Sequence, residues 1–424
     1  MKYTAKNMLE FIDKSPSPFH TVDNISEILL NAGFTRLYEQ DRWETCEGGK
    51  YFVVKNSSSI IAFVKGSEDS PFMICASHSD FPAFKVKSEN AGVYARLSTE
   101  RYGGMLMYSW FDRPLSVAGR VMIREGEAVT EKLVNIDKDL LVIPSVAIHM
   151  QRNANDGFSP NAAVDMLPLF SIDKNAKLAS VLSEECGVKE EDIISHDLFL
   201  YTRQKGSVIG ADSELFLSPR IDNLECVYTS LTSFLDSDPT KSTKVFAVFN
   251  NEEVGSETKQ GAASPFLATV LERLSKDREG YFAAIAKSFM VSADNAHAKH
   301  PAHPELADSV NGPILGGGVV IKHNANQRYA TDAVSSALFG EICLKAGAKV
   351  QQYSNRADMI GGSTLGSISN TKVPIPTVDI GLAQLAMHSA VETAALSDAS
   401  DMVKALTAFY SSELEIYDTK FVLK

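Results

Sequence analysis

The chain has few cysteines, no excess of basic charge and no long apolar run. Its five cysteines (Cys46, Cys75, Cys186, Cys226 and Cys343) are scattered, odd in number and without CxxC spacing. That pattern excludes a disulfide framework and a structural zinc site, and it reads as reduced thiols in the cytoplasm. No stretch approaches the roughly 18 apolar residues that a membrane span requires. The opening residues MKYTAK have no apolar region behind their basic side chains, so an export signal is not expected either. A net charge of -12 argues against a nucleic-acid partner or an anionic membrane surface. Internal repeats and low-complexity segments are also missing.

What remains is ordinary soluble material, with 44% hydrophobic and 22% charged residues. At 424 residues the chain exceeds what one hydrophobic core usually supports, so two domains are expected. Helical apolar spacing over residues 4–32 is broken by Ser15-Pro16-Ser17-Pro18. Strand-like runs follow at 51–54, 59–64 and 72–76. Residues 86–216 change character, with short alternating segments such as 115–123 and 140–148, and read as a β-rich insertion. From 218 onward strands (245–249, 289–292, 376–380) alternate with helices (224–235, 265–274, 331–346, 398–414). Such alternation predicts an α/β fold: a central mixed, largely parallel sheet flanked by helices. Residues 1–88 and 217–424 would form this body, with 89–216 inserted.

The most informative stretch is Asn250-Asn251-Glu252-Glu253-Val254-Gly255-Ser256. It places two carboxylates where the apolar run 245–249 ends. One can hold a cation while its neighbour handles a proton, although paired glutamates also occur in solvated turns. Other ligand-type residues share this context. His78 and Asp80 follow the run 72–76, Asp222 follows 215–217, Asp294 follows 289–292, and His388 comes soon after 378–380. Ligands in open α/β sheets bind at the carboxyl ends of strands, so five segments would converge there. Imidazole and carboxylate donors suit two zinc-type dications, with Co²⁺ or Mn²⁺ as alternatives. Six protein bonds suffice if Asp222 bridges: His78 and Asp294 serve one ion, Glu253 and His388 the other. A bridging hydroxide completes the charge balance, and Glu252 stays free as general base. Asp80 could orient the His78 ring or cap a turn. Asp222 and Asp294 could equally be helix N-caps.

Taken in order, SPSPFH at 15–20, SHSD at 77–80, YGG…WFDRPLSVAGRV at 102–121 and AIHMQRN at 147–153 begin a longer pattern. SPRIDNL at 218–224, NNEEVGS at 250–256, SADNAHA at 292–298, QRYA at 327–330, GGSTLG at 361–366 and QLAMHS at 384–389 complete it. Together these motifs resemble the aspartyl aminopeptidase family over nearly the whole chain. SHSD departs from the usual SHTD, and Asp often replaces the first Asn of NNEEVGS; neither change removes a ligand.

The resemblance implies two zinc ions on His78, Asp222, Glu253, Asp294 and His388, with Glu252 as base. It implies that the insertion is a dimerisation domain, that copies assemble as a tetrahedral dodecamer, and that His149 reaches a neighbour's active site. It also implies a cis Asp222–Asn223 peptide and a contact of Lys322 with an acidic substrate side chain. The loop 361–366, with Gly362 and Thr364, could offer backbone N–H groups to a substrate carbonyl, or could be an ordinary tight turn. His297, His300 and His303, interrupted by prolines, read as surface loop, and Trp110 and Phe111 as insertion core. The expected activity is removal of N-terminal residues from peptides, acidic ones preferred. Neutral-residue cleavage, a related dinuclear deacylase or carboxypeptidase, and a non-catalytic shell protein are the competing readings.

Overall fold

The computed structural model describes residues 2–424. Its centre is a nine-stranded sheet. The order is Thr35–Leu37, Lys50–Lys55, Ser59–Val64, Thr243–Phe249, Phe72–His78, Phe289–Ala293, Thr377–Gly381, Val319–His323 and Val350–Ser354. Five neighbouring pairs are parallel and three antiparallel. The sheet is therefore mixed and largely parallel, as the alternation predicts.

The strands form here because both faces are covered. Along Thr243–Phe249, Val245, Ala247 and Phe249 join one apolar cluster while Phe246 and Val248 join the opposite one. Side chains alternate along a strand, so a strand buried on both sides must be apolar throughout. Helices Ala5–Asp13, Pro18–Asn31, Ile221–Asp236, Ala333–Ala346 and Leu396–Ser411 contribute to the cluster of Phe246 and Val248. Phe266–Leu274 and Arg278–Ile285 cover the cluster of Val245, Ala247 and Phe249. The Ser-Pro break ends one helix and starts the next: the Ser17 side chain accepts from the His20 N–H, and Pro18 occupies the first helical position.

A six-stranded antiparallel sheet lies between the two halves of the sequence. It runs Ala128–Asn135, Leu115–Glu125, Ile193–Thr202, Ala83–Ala91, Ala95–Tyr102 and Leu169–Ser171. Trp110 is buried edge-on to Phe84 at 5.2 Å, and Phe111 packs against the same core, as expected for both. The segment 140–148 differs from expectation. Only Leu141 and Val142 form isolated bridges, and Val146 and Ile148 are exposed. Leu141 and Ile143 are buried, but Pro144 has no N–H for a ladder and residues 144–148 are exposed.

A third sheet, Ser207–Ile209, Leu215–Ser218, Glu392–Ala395, Ala383–Leu385 and Ala296–His297, joins segments that are distant in sequence. Among the described residues no helix is long and apolar enough to cross a membrane.

Gly381 marks how closely backbone packs where the sheet ends. A Cβ there would lie 2.0 Å from the Asp294 carbonyl oxygen. Gly381→Ala must therefore displace the turn after Phe289–Ala293. A loss of about 1–3 kcal/mol is expected, read as a lower midpoint in urea unfolding. An unchanged midpoint would show that the turn yields freely.

Candidate metal centre

His78 is the last residue of Phe72–His78, paired on both sides within the central sheet. Its Nδ1 lies 3.0 Å from the Asp80 carbonyl oxygen. A ring whose Nδ1–H is held in this way turns an Nε2 lone pair outward. That Nε2 faces Asp222 Oδ1 at 3.5 Å and Asp294 Oδ1 at 3.9 Å. Asp294 directly follows Phe289–Ala293, and the next element is the short strand Ala296–His297, so it caps no helix.

Asp222 follows Leu215–Ser218, which belongs to the third sheet rather than the central one. Its bond to Asn223 is cis, as the family resemblance implied, and both residues are non-helical within Ile221–Asp236. The Asp222 backbone N–H donates to Glu392 Oε2 at 3.1 Å. His388 also arises from the third sheet, after Ala383–Leu385, with φ at +67°. Its N–H donates to Glu392 Oε1 at 2.7 Å. Its Nε2 lies 3.3 Å from Asp222 Oδ2 and 3.4 Å from Glu253 Oε2. Three of the five expected ligands thus sit at or just past central strand ends, and two come from the neighbouring sheet.

The result is two donor triads that share Asp222. Ligand atoms of His78, Asp222 and Asp294 lie within 4.8 Å of one another, and so do those of Asp222, Glu253 and His388. His78, Glu252 and Glu253 satisfy the same limit, so distance alone does not separate Glu252 from the ligands. Two oxygens, Asp222 Oδ1 and Glu253 Oε1, are buried without a hydrogen-bond partner. An unsatisfied buried polar atom costs about 1–3 kcal/mol, more for a charge, so these oxygens fit a cation-binding role.

The protein's own charges say the same. Burial pushes Glu252 up to about 8; protonated His78 pulls it down, while Asp294, Asp80 and Asp222 push it further up. Burial also holds Glu253 well above the carboxylate range and Glu392 at about 8. Burial alone would lower His388, yet its bond to Asp222 and the charge of Glu253 raise it to about 10. Acids that hinder one another's ionisation form a site short of positive charge, which two dications would supply.

Asp80 neither coordinates in these triads nor aims its carboxylate squarely at the ring, whose Nδ1 is 3.5 Å from Oδ1. Instead the carboxylate accepts the backbone N–H groups of Glu252 at 3.1 Å and Glu253 at 3.2 Å, and the Tyr102 hydroxyl at 2.7 Å. It pins the glutamate turn.

Lys322 is buried, with Nζ 3.7 Å from Asp294 Oδ1 and 5.5 Å from the centre of the Tyr329 ring. A solvated strand-end lysine is ruled out by that burial. Thr364 is buried and donates its hydroxyl to Asp379 Oδ1 at 2.6 Å, so only its backbone could face a substrate. Gly362 is exposed and lines a cavity of about 300 Å³ with His297, His300, His303, Tyr353, Arg356 and residues 384–387. His300 and His303 lie on exposed loop, as expected, whereas His297 ends the strand Ala296–His297 of the third sheet, paired with Gln384. His149 lies on an exposed turn outside both triads.

Sequence reasoning missed Glu392, Tyr102 and the pair Asn295–Gln384, joined at 2.6 Å behind the site. Asn295 and Gln384 sit inside motifs already singled out, whereas Glu392 carries no local signal.

Comparison with known proteins agrees with this geometry. Residues 11–410 match the family model described as aminopeptidase I zinc metalloprotease (M18). The chain is 43% identical over 427 residues to a probable M18 family aminopeptidase 2 of Clostridium acetobutylicum, covering 96% of this chain and 98% of the relative. Among solved structures, a chain of the Ape4 and Nbr1 complex is 34% identical with a TM-score of 0.93, covering 96% of this chain and 85% of that one. The mApe1 dodecamer of S. cerevisiae is 26% identical with a TM-score of 0.84, covering 96% of each chain. This chain belongs to the M18 family of zinc aminopeptidases.

Proposed function

We propose that the protein is a two-ion aminopeptidase that releases N-terminal residues from peptides and prefers acidic ones. The observation that carries this reading is the pair of donor triads sharing Asp222, with Glu252 beside them. His78 and Asp294 would hold one ion, Glu253 and His388 the other, and Asp222 both. Zinc suits these donors, and Co²⁺ or Mn²⁺ could replace it. When bound, such ions polarise a scissile carbonyl and supply a water-derived nucleophile near neutral pH, in the form of a bridging hydroxide.

The protein's own part is proton handling and placement. Glu252, beside both triads but outside the six protein bonds, is placed to take a proton from water and return it to the leaving amine. Asp80 holds the Glu252 and Glu253 backbone in register for those tasks. Lys322 supports acidic selectivity, because a buried ammonium beside the site favours a carboxylate in reach. The cavity formed with residues 384–387 and Gly362 is suited to the substrate's side chain, with backbone N–H groups near Thr364 as carbonyl donors. Its pairing with Asp294 also supports a second role for Lys322, trimming the charge of that ligand.

We assign residues 1–88 and 217–424 to the catalytic body and 89–216 to an inserted dimerisation domain; the six-stranded sheet supports the insertion, its strand Ala83–Ala91 crossing the first boundary and Leu215–Ser218 of the third sheet crossing the second. Assembly into a tetrahedral dodecamer is supported by the mApe1 dodecamer and by the exposed apolar side chains Val146, Ile148, Met150 and Val164. His149, among them, would complete a neighbour's site. Five free cysteines support a cytoplasmic setting.

Glu252→Gln should retain two bound ions while kcat falls about 10²- to 10⁴-fold. Loss of metal would instead make Glu252 a ligand, and near-normal turnover would dismiss its role as base. Lys322→Met, assayed on Asp-, Glu- and Leu-anilides, should lose acidic turnover selectively; an equal fall on all three would leave Lys322 only its contact with Asp294. N-acyl amino acids in the same panel test the deacylase reading. By sedimentation, wild type and His149→Ala should both run as dodecamers, with activity of the variant down at least about 10-fold. Full activity in that variant would remove His149 from the site.

A further inference from the structure

The two triads are braced differently. His78 closes a strand paired on both sides, and the Asp294 N–H donates to the Ile380 carbonyl at 2.9 Å. These two ligands are held by the central sheet itself. Glu253 and His388 sit on turns beyond any strand, and His388 adopts a left-handed φ of +67° that a non-glycine residue keeps only with support.

That support comes from residues 102–110, which link Ala95–Tyr102 to Leu115–Glu125 in the six-stranded sheet. Gly103 packs on the Glu253 turn so closely that a Cβ would lie 3.1 Å from Glu253 Cβ and 3.2 Å from its carbonyl oxygen. The Leu106 N–H donates to the His388 carbonyl at 3.0 Å. Ser109 Oγ accepts the Ala390 N–H at 2.8 Å and donates to the Leu106 carbonyl at 2.6 Å. Trp110, buried against Phe84, anchors the segment at its far end. Tyr102 opens it by joining Asp80 to Asn251, at 2.7 and 2.8 Å.

We propose that residues 103–110 are a positioning element for one of the two ions, the one on Glu253 and His388, while the His78–Asp294 ion is independent of them. The inference rests on the two-ion reading above. Its physical basis is that partners of ligands fix ligand orientation, and loosening such a partner typically costs about 10- to 100-fold in metal affinity. Here that loosening falls on one triad. The unit that carries the six-stranded sheet thereby controls occupancy of one ion site. Tyr102 is not the discriminating position, because Asp80 also holds the His78 ring.

The test is a Co²⁺ titration of chelator-stripped protein, followed by calorimetry and by the visible absorption of each bound ion. Wild type should take up two equivalents. Ser109→Ala and Gly103→Ala should keep the first equivalent with unchanged affinity and spectrum. The second should bind about 10- to 100-fold more weakly, with an altered spectrum. Gly103 has φ at +78°, so its alanine variant is also strained in backbone; Ser109→Ala carries the test if that variant does not fold. Two equivalents bound as in wild type by a folded Ser109→Ala, or equal weakening of both, would overturn the proposal. Fewer than two equivalents in wild type would instead overturn the two-ion reading on which it rests.

Discussion

The Asp222 carboxylate holds the site together. Its Oδ1 faces His78 Nε2 and its Oδ2 faces His388 Nε2, so one buried side chain spans both donor triads. A non-helical turn at the start of Ile221–Asp236 places it between His78 of the central sheet and His388 of the third. Glu392 then secures the arrangement from behind. One of its oxygens takes the Asp222 N–H and the other the His388 N–H, tying the shared Asp222 to His388 of the second triad.

A cluster of buried acids of this kind would be costly if it were merely a structural network. Desolvation raises Glu252, Glu253 and Glu392 together, and the charge of Asp222 raises each of them further. The fold meets this partly with Lys322, paired with Asp294, and with backbone N–H groups aimed at Asp80 and Glu392. Asp222 Oδ1 and Glu253 Oε1, which belong to the triads, remain unpartnered. Polar satisfaction is thus complete enough to hold the carboxylates in place and incomplete where a cation would add bonds.

Rigidity follows the same division. The central strands carry His78 and Asp294 on parallel ladders with both faces buried, whereas Glu253 and His388 hang on turns that need outside support. Residues 102–110 provide it from the six-stranded sheet. The unit read from sequence as an appendage therefore reaches into the chemistry of the body.

The types of chemistry were determined by the sequence alone. An apolar run that ends in two glutamates must present them at a sheet rim, and His, Asp and Glu are the donors that dications prefer. The central sheet was legible for a similar reason, since strands covered on both faces are apolar throughout. Tertiary structure decided that Asp222 and His388 arrive from a second sheet and that Asp80 pins the glutamate turn. It also introduced Glu392, which meets Asp222 across 170 residues of sequence. Side-chain bonds to distant backbone N–H groups leave no periodicity or spacing to read, because their geometry exists only once the sheets have packed. The misread segment 140–148 has the same origin: alternation marks a strand only where one face is buried along its length, and here burial stops at Ile143.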